Sequence, residues 1–192
     1  MKKLLILLFL ILVSLSSYGE TKYSYHSNGQ IEGEENYKYG KKEGKWTYWY
    51  ENGQKEWEGN FKDDKRYGIS TWWYKNGQIK LEENWKNDEF DGKLTDWYEN
   101  GQIESVRNYK DNRLNGKSIW WHENGQKFIE GNYKHSKVDD KWTFWKKNGQ
   151  KEEEVNYKDG DLVDKTIFKY SFFTGHLKSE KKYKDGKCVS GC

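Results

Sequence analysis

The sequence predicts an all-β protein: a single elongated, twisted antiparallel sheet built from about seven tandem 24-residue β-hairpin repeats. Three observations predict it. Asn-Gly-Gln recurs with its Asn at Asn28, Asn52, Asn76, Asn100, Asn124 and Asn148, a constant step of 24 residues. The stretches flanking each copy alternate aromatic with polar residues, the pattern of strands with one buried face. The chain contains no proline, so no strand position lacks its ladder donor.

The first segment precedes the repeats. Lys2 and Lys3 stand before the apolar run Leu4 to Val13, and Ser17-Tyr18-Gly19 places small residues three and one before a cut, the layout of a secretory signal. Residues 1–19 are therefore read as a signal peptide, with a mature chain beginning near Glu20. A retained anchor would need about 20 apolar residues, roughly twice this run, and nothing later is long enough to span a bilayer. The expectation is an exported protein, periplasmic or extracellular, with no transmembrane segment after signal removal.

The formal charge of +3 falls to +1 when Lys2 and Lys3 leave, with acids and bases interspersed along the rest. That excludes the concentrated basic surface on which nucleic-acid binding depends. Low hydrophobic and high charged content would by themselves suit a disordered chain. Eleven Trp, fifteen Tyr and eight Phe placed on a fixed beat oppose that reading, because each carries a large apolar area into a regular position.

Residues 20–187 form the repeat domain. In one unit, Lys45 to Glu51 is a strand, Asn52-Gly53 a tight turn, and Gln54 to Lys62 the returning strand. Asn-Gly between alternating runs is a strong hairpin signal, since both residues tolerate the positive φ of a two-residue turn. Glu51 then faces Gln54, and Asp63 to Tyr67 is a polar connection to the next unit. Parity sorts Trp46, Tyr48, Tyr50, Trp57 and Phe61 onto a core face, with Trp72, Tyr74, Ile79, Leu81, Trp85, Leu94, Tyr98, Ile103 and Tyr109 as equivalents. A bulged turn with Gly53 alone left-handed would shift that register. One hairpin buries too few large apolar groups to offset the ordering of its own backbone. Successive hairpins must pair edge to edge, and divergent ends act as caps.

Further columns keep the beat. Asn36-Tyr37-Lys38 returns at Asn60, Asn84, Asn108, Asn132 and Asn156, and Gly44, Gly68, Gly92 and Gly116 mark the connection, replaced by Asp140 and Asp164. The last turn, Phe173-Thr174-Gly175-His176, is two residues late, which places an extra pair before it. Glu34, Glu58, Glu82, Glu130 and Glu154 read as a solvated row with partners in the lysine column Lys38, Lys62, Lys86, Lys110, Lys134 and Lys158. Trp49, Trp73, Trp97, Trp121 and Trp145 fall on the polar face one hairpin apart, about 10 Å. They are the candidate binding ladder; the competing reading is that they shield the sheet's second face under Lys and Glu stems.

The pattern of aromatics before Asn-Gly-Gln, then Asn-Tyr-Lys and a Gly-bearing connection, resembles the MORN-repeat variant family of bacterial exported or envelope proteins, some of them labelled antitoxin components of toxin-antitoxin pairs. The resemblance covers about residues 23 to 187 and implies a hairpin scaffold that binds another protein without chemistry. Asp140, Asp164 and Thr174 depart from the pattern.

No catalytic constellation emerges. His26 and His122 occupy the column of Tyr50 and read as aromatic substitutes, His135 lies in a connection, and the paired acids are too abundant to single out a cleft. The expectation is no enzyme, no cofactor and no metal. In the tail, residues 188–192, Cys188 and Cys192 can close a small disulfide in an exported protein. The leading partner is another protein, of antitoxin or immunity type; the alternative is an envelope glycan, on the analogy of short aromatic cell-wall-binding repeats.

Overall fold

The computed structural model describes residues 19–192, so the expected signal peptide lies outside the described residues apart from Gly19. The described residues are all-β, with seventeen strands and no helix among them, paired antiparallel as one open sheet of tandem hairpins. Among the described residues, 19–89 and 90–192 form two compact units. The first carries β1 (Glu20–Tyr25), β2 (Ile31–Lys38), β3 (Lys41–Lys42), β4 (Gly44–Trp49), β5 (Lys55–Lys62), β6 (Lys65–Trp73) and β7 (Ile79–Lys86). The second carries β8 (Glu89–Trp97), which starts at the boundary, β9 (Ile103–Lys110), β10 (Arg113–Leu114), β11 (Gly116–Trp121), β12 (Lys127–Lys134), β13 (Lys137–Trp145), β14 (Lys151–Lys158), β15 (Asp161–Tyr170), β16 (Leu177–Lys184) and β17 (Lys187–Ser190).

The Asn-Gly corner differs from the expected two-residue turn. Gly53 N–H donates to Tyr50 O and Tyr50 N–H to Gln54 O, both at 2.9 Å, so Glu51, Asn52 and Gly53 make a three-residue loop in which only Gly53 is left-handed, at φ 80°. The Asn side chain explains the choice. Asn52 Oδ1 accepts from Gln54 N–H at 3.1 Å, and every one of the six Asn residues does the same for its Gln, which closes a local turn and leaves the positive φ to glycine.

The two-residue turns with both residues left-handed lie at the opposite rim, where an open connection was expected. Asp63 and Asp64 have φ of 50° and 68° between the paired Lys62 and Lys65; Asp111-Asn112 and His135-Ser136 repeat the geometry. Asp, Asn and His are the side chains that best tolerate this region. The two-residue turn expected at the Asn-Gly corner is thus found at the other rim, where the sequence reads Asp63 to Tyr67 as a five-residue connection.

An extra residue at the corner would have flipped every side chain beyond it. A bulge between Tyr48 and Trp49 absorbs it, and from Tyr48↔Trp57 and Thr47↔Glu58 onward the register is the expected one. The core face therefore holds: Trp46, Trp57 and Trp85 are buried in the first unit, and Leu94, Trp142 and Val155 in the second. Close to the corner it does not. Ile79 lies opposite Trp73 and Ile103 opposite Trp97, and both are exposed, as is Trp72. On the other face Thr47, Thr95 and Thr143 are buried between their neighbours.

The column of Gly44, Gly68, Gly92 and Gly116 is the second bulge of each unit. Gly68 has φ 74° within the shift between Phe61↔Arg66 and Glu58↔Thr71, and Asp140 keeps the same role at φ 57°. Asp164 is not left-handed, and there the shift shrinks to one residue, from Tyr157↔Leu162 to Asn156↔Asp164. Strand β15 consequently slips: Thr166 and Ile167 stand opposite Glu154 and Glu153, one residue short of the pairing that Thr143 and Phe144 make with Glu130 and Ile129. The final corner is longer, because Ser171 N–H donates to His176 O and leaves Phe172 to Gly175 as a four-residue loop. The inserted pair is thus split, one residue in the strand and one in the turn, and not wholly before the turn as expected. Strand β17 closes the chain, with Cys188 and Cys192 joined in a disulfide.

A corner glycine has two jobs, and they separate by mutation. A Cβ at Gly53 meets nothing within 4 Å, whereas at Gly77 it comes 2.9 Å from Gln54 Oε1 of the preceding corner. Both alanines suffer the left-handed penalty of about 1–2 kcal/mol. Gly77→Ala is expected to destabilise the protein only slightly more than Gly53→Ala in urea unfolding, because the exposed Gln54 carboxamide is the far end of a flexible side chain and can swing aside. A much larger loss at Gly77 would show that it is held in place.

Candidate functional site: the tryptophan face and the corner rows

The five ladder residues close strands β4, β6, β8, β11 and β13: Trp49, Trp73, Trp97, Trp121 and Trp145 all stand just before a corner and are all half-buried. Their backbone is fastened by the column that follows them. Tyr50 Oη donates to Trp73 O at 2.8 Å and Tyr98 Oη to Trp121 O at 2.7 Å, while His26 and His122 place Nε2 at 2.7 and 3.2 Å from Trp49 O and Trp145 O. A carbonyl only accepts, so each imidazole carries its proton on Nε2 there. The histidines are substitutes for tyrosine, as the column predicts.

The corner Asn reaches further still. Asn28 Nδ2 donates to Glu51 O at 3.1 Å, Asn52 to Lys75 O at 2.8 Å, Asn100 to Glu123 O at 3.2 Å and Asn124 to Lys147 O at 2.7 Å. One side chain therefore closes its own turn and ties it to the next, which is why Asn persists where Gly alone would satisfy the backbone. The opposite rim is laced likewise: Asp64 Oδ1 accepts from Lys42 N–H and Asp88 Oδ1 from Arg66 N–H, both at 2.8 Å. The Asn of Asn-Tyr-Lys spans the second bulge, with Asn36 Nδ2 donating to Lys45 O and Asn108 Nδ2 to Lys117 O at 2.5 Å.

Charge on the tryptophan face is arranged in triads. Glu58 accepts from Lys45 at 2.9 Å and Lys55 at 2.6 Å; Glu130 is held by Lys117 and Lys127, and Glu154 by Lys141 and Lys151. The expected partner, the lysine column at Lys62, is not used. Glu58 finds its lysines across the strand pair and three residues before it, because cross-strand neighbours are closer than residues four apart along one strand. Burial pushes the three carboxyls up, but hydrogen bonds from two ammonium groups and their charge outweigh it, and all three sit below the usual carboxylate range. A folded pKa below the unfolded one adds stability that is full above the ordinary carboxylate pKa of about 4.3 and is lost as pH falls through the folded value. The triple variant Glu58→Gln, Glu130→Gln, Glu154→Gln should therefore lose less thermal midpoint than the parent between about pH 6 and pH 3, a comparison that scanning fluorimetry reads directly.

Two of the triad lysines also cover ladder rings. Lys55 Nζ lies 5.3 Å from the Trp73 ring centroid and Lys127 Nζ 5.5 Å from that of Trp145.

Sequence reading missed one cluster. The Glu35 carboxylate accepts from Tyr37 Oη at 2.7 Å and from Tyr48 Oη, which joins adjacent strands on the aromatic face. The bond to Glu35, with burial behind it, pushes the Tyr37 phenol up to about 12. Burial opposes the Glu35 charge, yet the two phenol donors win and hold it below its ordinary range. The only signal was parity, which puts Glu35 on the same face as Tyr37, and it could not be told from the surface acids.

Such a molecule is a tandem-hairpin repeat scaffold, its repeated polar residues committed to lacing one corner to the next. It belongs to the MORN repeat variant family, whose pattern it matches over residues 21–39, 42–63, 66–87, 90–111, 114–135 and 141–159, more than half of the chain. The matches end before β15, the strand that slips. Among curated proteins, none matches the chain. The family is one of repeat scaffolds and not a known enzyme family, and its repeats generally serve as binding motifs. Among the described residues no helix is long and apolar enough to cross a membrane.

Proposed function

We propose that this chain is a non-enzymatic, exported scaffold that binds another protein through its tryptophan face, a partner of the kind an antitoxin or immunity protein neutralises. The observation that carries the reading is the pairing of half-buried indoles with Lys–Glu–Lys triads. Trp is enriched in protein interfaces and among the residues that carry their binding energy, and the triads leave the charges around these indoles paired. A glycan-stacking site needs the ring face bare, and Lys55 and Lys127 already stand over Trp73 and Trp145. The leader-like segment at residues 1–19 supports export.

The test is cross-linking of the chain from Glu20 in its native envelope fraction, with mass spectrometry of what is joined. One protein should be captured by the parent and lost from Trp121→Glu and Trp145→Glu variants that keep their circular dichroism. Co-sedimentation with purified peptidoglycan that depends on the same two residues would overturn the reading in favour of the glycan. Export is checked separately, by finding an N-terminus at or near Glu20 in the mature protein.

A further inference from the structure

The last corner departs from the repeat by addition. Where the other corners carry polar residues, it carries Phe172 and Phe173, 95% and 93% exposed, their rings packed edge to face with centroids 5.6 Å apart. The split insertion is what lifts them onto a tip. A lone exposed apolar residue needs no explanation, but two adjacent rings with almost no cover form an anchor. The tip from Ser171 to Gly175 carries no formal charge.

The first unit holds a receptor of matching chemistry. A groove of about 530 Å³ is lined by Trp46, Trp57, Phe61 and Trp72, with Lys42 and Arg66 also lining it and a single carboxylate, Glu56. Lys42 Nζ lies 4.4 Å from the Trp46 centroid and 5.0 Å from that of Phe61, and Arg66 Cζ 3.5 Å from that of Trp85. These cations already work against ring faces. An incoming aromatic ring offers them another negative face at no cost in unpaired charge, while an aliphatic tip would not and a basic one would be repelled.

We propose that the Phe172–Phe173 tip of one copy seats in the aromatic groove of a second copy. The inference is independent of the partner reading above. Two phenylalanines bury about 150–250 Å² each, so tip and groove together bury on the order of 600–1,000 Å². That falls below the standard size of a permanent interface and in the range of weak, reversible association. The contact is heterologous, since tip and groove are different surfaces, and it leaves each copy with one free tip or groove.

Sedimentation velocity of the chain from Glu20 across the micromolar range tests it. The weight-average mass of the parent should rise with concentration. The Phe172→Ser, Phe173→Ser variant, carrying a groove but no tip, should stay monomeric, and so should Arg66→Glu with Trp72→Ala, carrying a tip but no groove. Circular dichroism checks that both fold. Mixing the two variants should give a one-to-one dimer and nothing larger, because one tip meets one groove. A parent that is monomeric throughout, or a tip variant that still associates, overturns the proposal. So does a monomeric parent that floats with phosphatidylglycerol vesicles through the two phenylalanines, which would assign the tip to a lipid surface.

Discussion

Trp142→Ala is expected to cost about 3–5 kcal/mol, the range for a large aromatic removed from a core. The ring is 5% exposed. It lies edge-on to Tyr133 at 5.0 Å and Tyr157 at 6.5 Å, is stacked with Trp120 at 6.1 Å, and donates Nε1–H to Asn132 O at 3.1 Å. Alanine would leave that carbonyl without its donor and open a cavity bounded by three rings that are themselves anchored. In a sheet of repeats the loss falls first on the unit concerned and its neighbours. Hydrogen exchange should therefore accelerate through residues 127–158 at denaturant concentrations where β2 to β5 remain protected. Trp145→Ala is the control three residues away. Its ring is half-buried, on the opposite face, under Lys127. A cost near 1 kcal/mol is expected there, in line with an exposed cation–π contact. Equal costs at the two positions would mean that the faces are energetically alike and that the core assignment fails.

What could be read from the sequence follows from what repeats in it. The 24-residue step, the hairpins and the aromatic face of Trp46 and Trp57 all rest on periodicity, which a constant local geometry preserves. The turn types were lost because Asn-Gly has two solutions. Whether Asn takes the left-handed conformation or spends its side chain on the Gln two residues ahead depends on a hydrogen bond that the letters do not contain. Asp63-Asp64 reads as a polar connection for the same reason, since nothing in two aspartates announces a pair of positive φ values. The lysine partners were misassigned because spacing along one strand is visible in sequence and spacing across strands is not, so Lys62 looked nearer to Glu58 than Lys45 did. At the last unit, Asp164 looked like the same substitution in the glycine column as Asp140, yet of the two only Asp140 is left-handed. The failure of Asp164 to go left-handed, and the slip of β15 that follows, is a tertiary outcome. The ladder from Trp49 to Trp145 was legible as a column, but its cover of lysines and the carbonyl bonds that fix its strands were not.

Gly131→Ala should be nearly as damaging as the loss of the indole above it. Gly131 is buried at a backbone conformation any residue can adopt, so strain in φ plays no part. The space is what is missing. A Cβ there lies 2.1 Å from Trp142 Cδ2, 2.3 Å from Cε2 and 2.6 Å from Cγ, distances at which a rigid ring must move as a body. Trp142 is held by Tyr133 and Tyr157 and by its bond to Asn132, so it can yield only by breaking one of these contacts. Overpacking of that kind costs about 1–3 kcal/mol, and the loss of the indole bond adds to it. The double variant Gly131→Ala, Trp142→Ala separates collision from every other cause. With the ring gone the new methyl occupies vacated space, so the double variant should be more stable than the sum of the single losses by about 1–2 kcal/mol, a coupling typical of residues in contact. Strictly additive losses in urea titrations of the four proteins would show that alanine harms the strand by some route other than the indole.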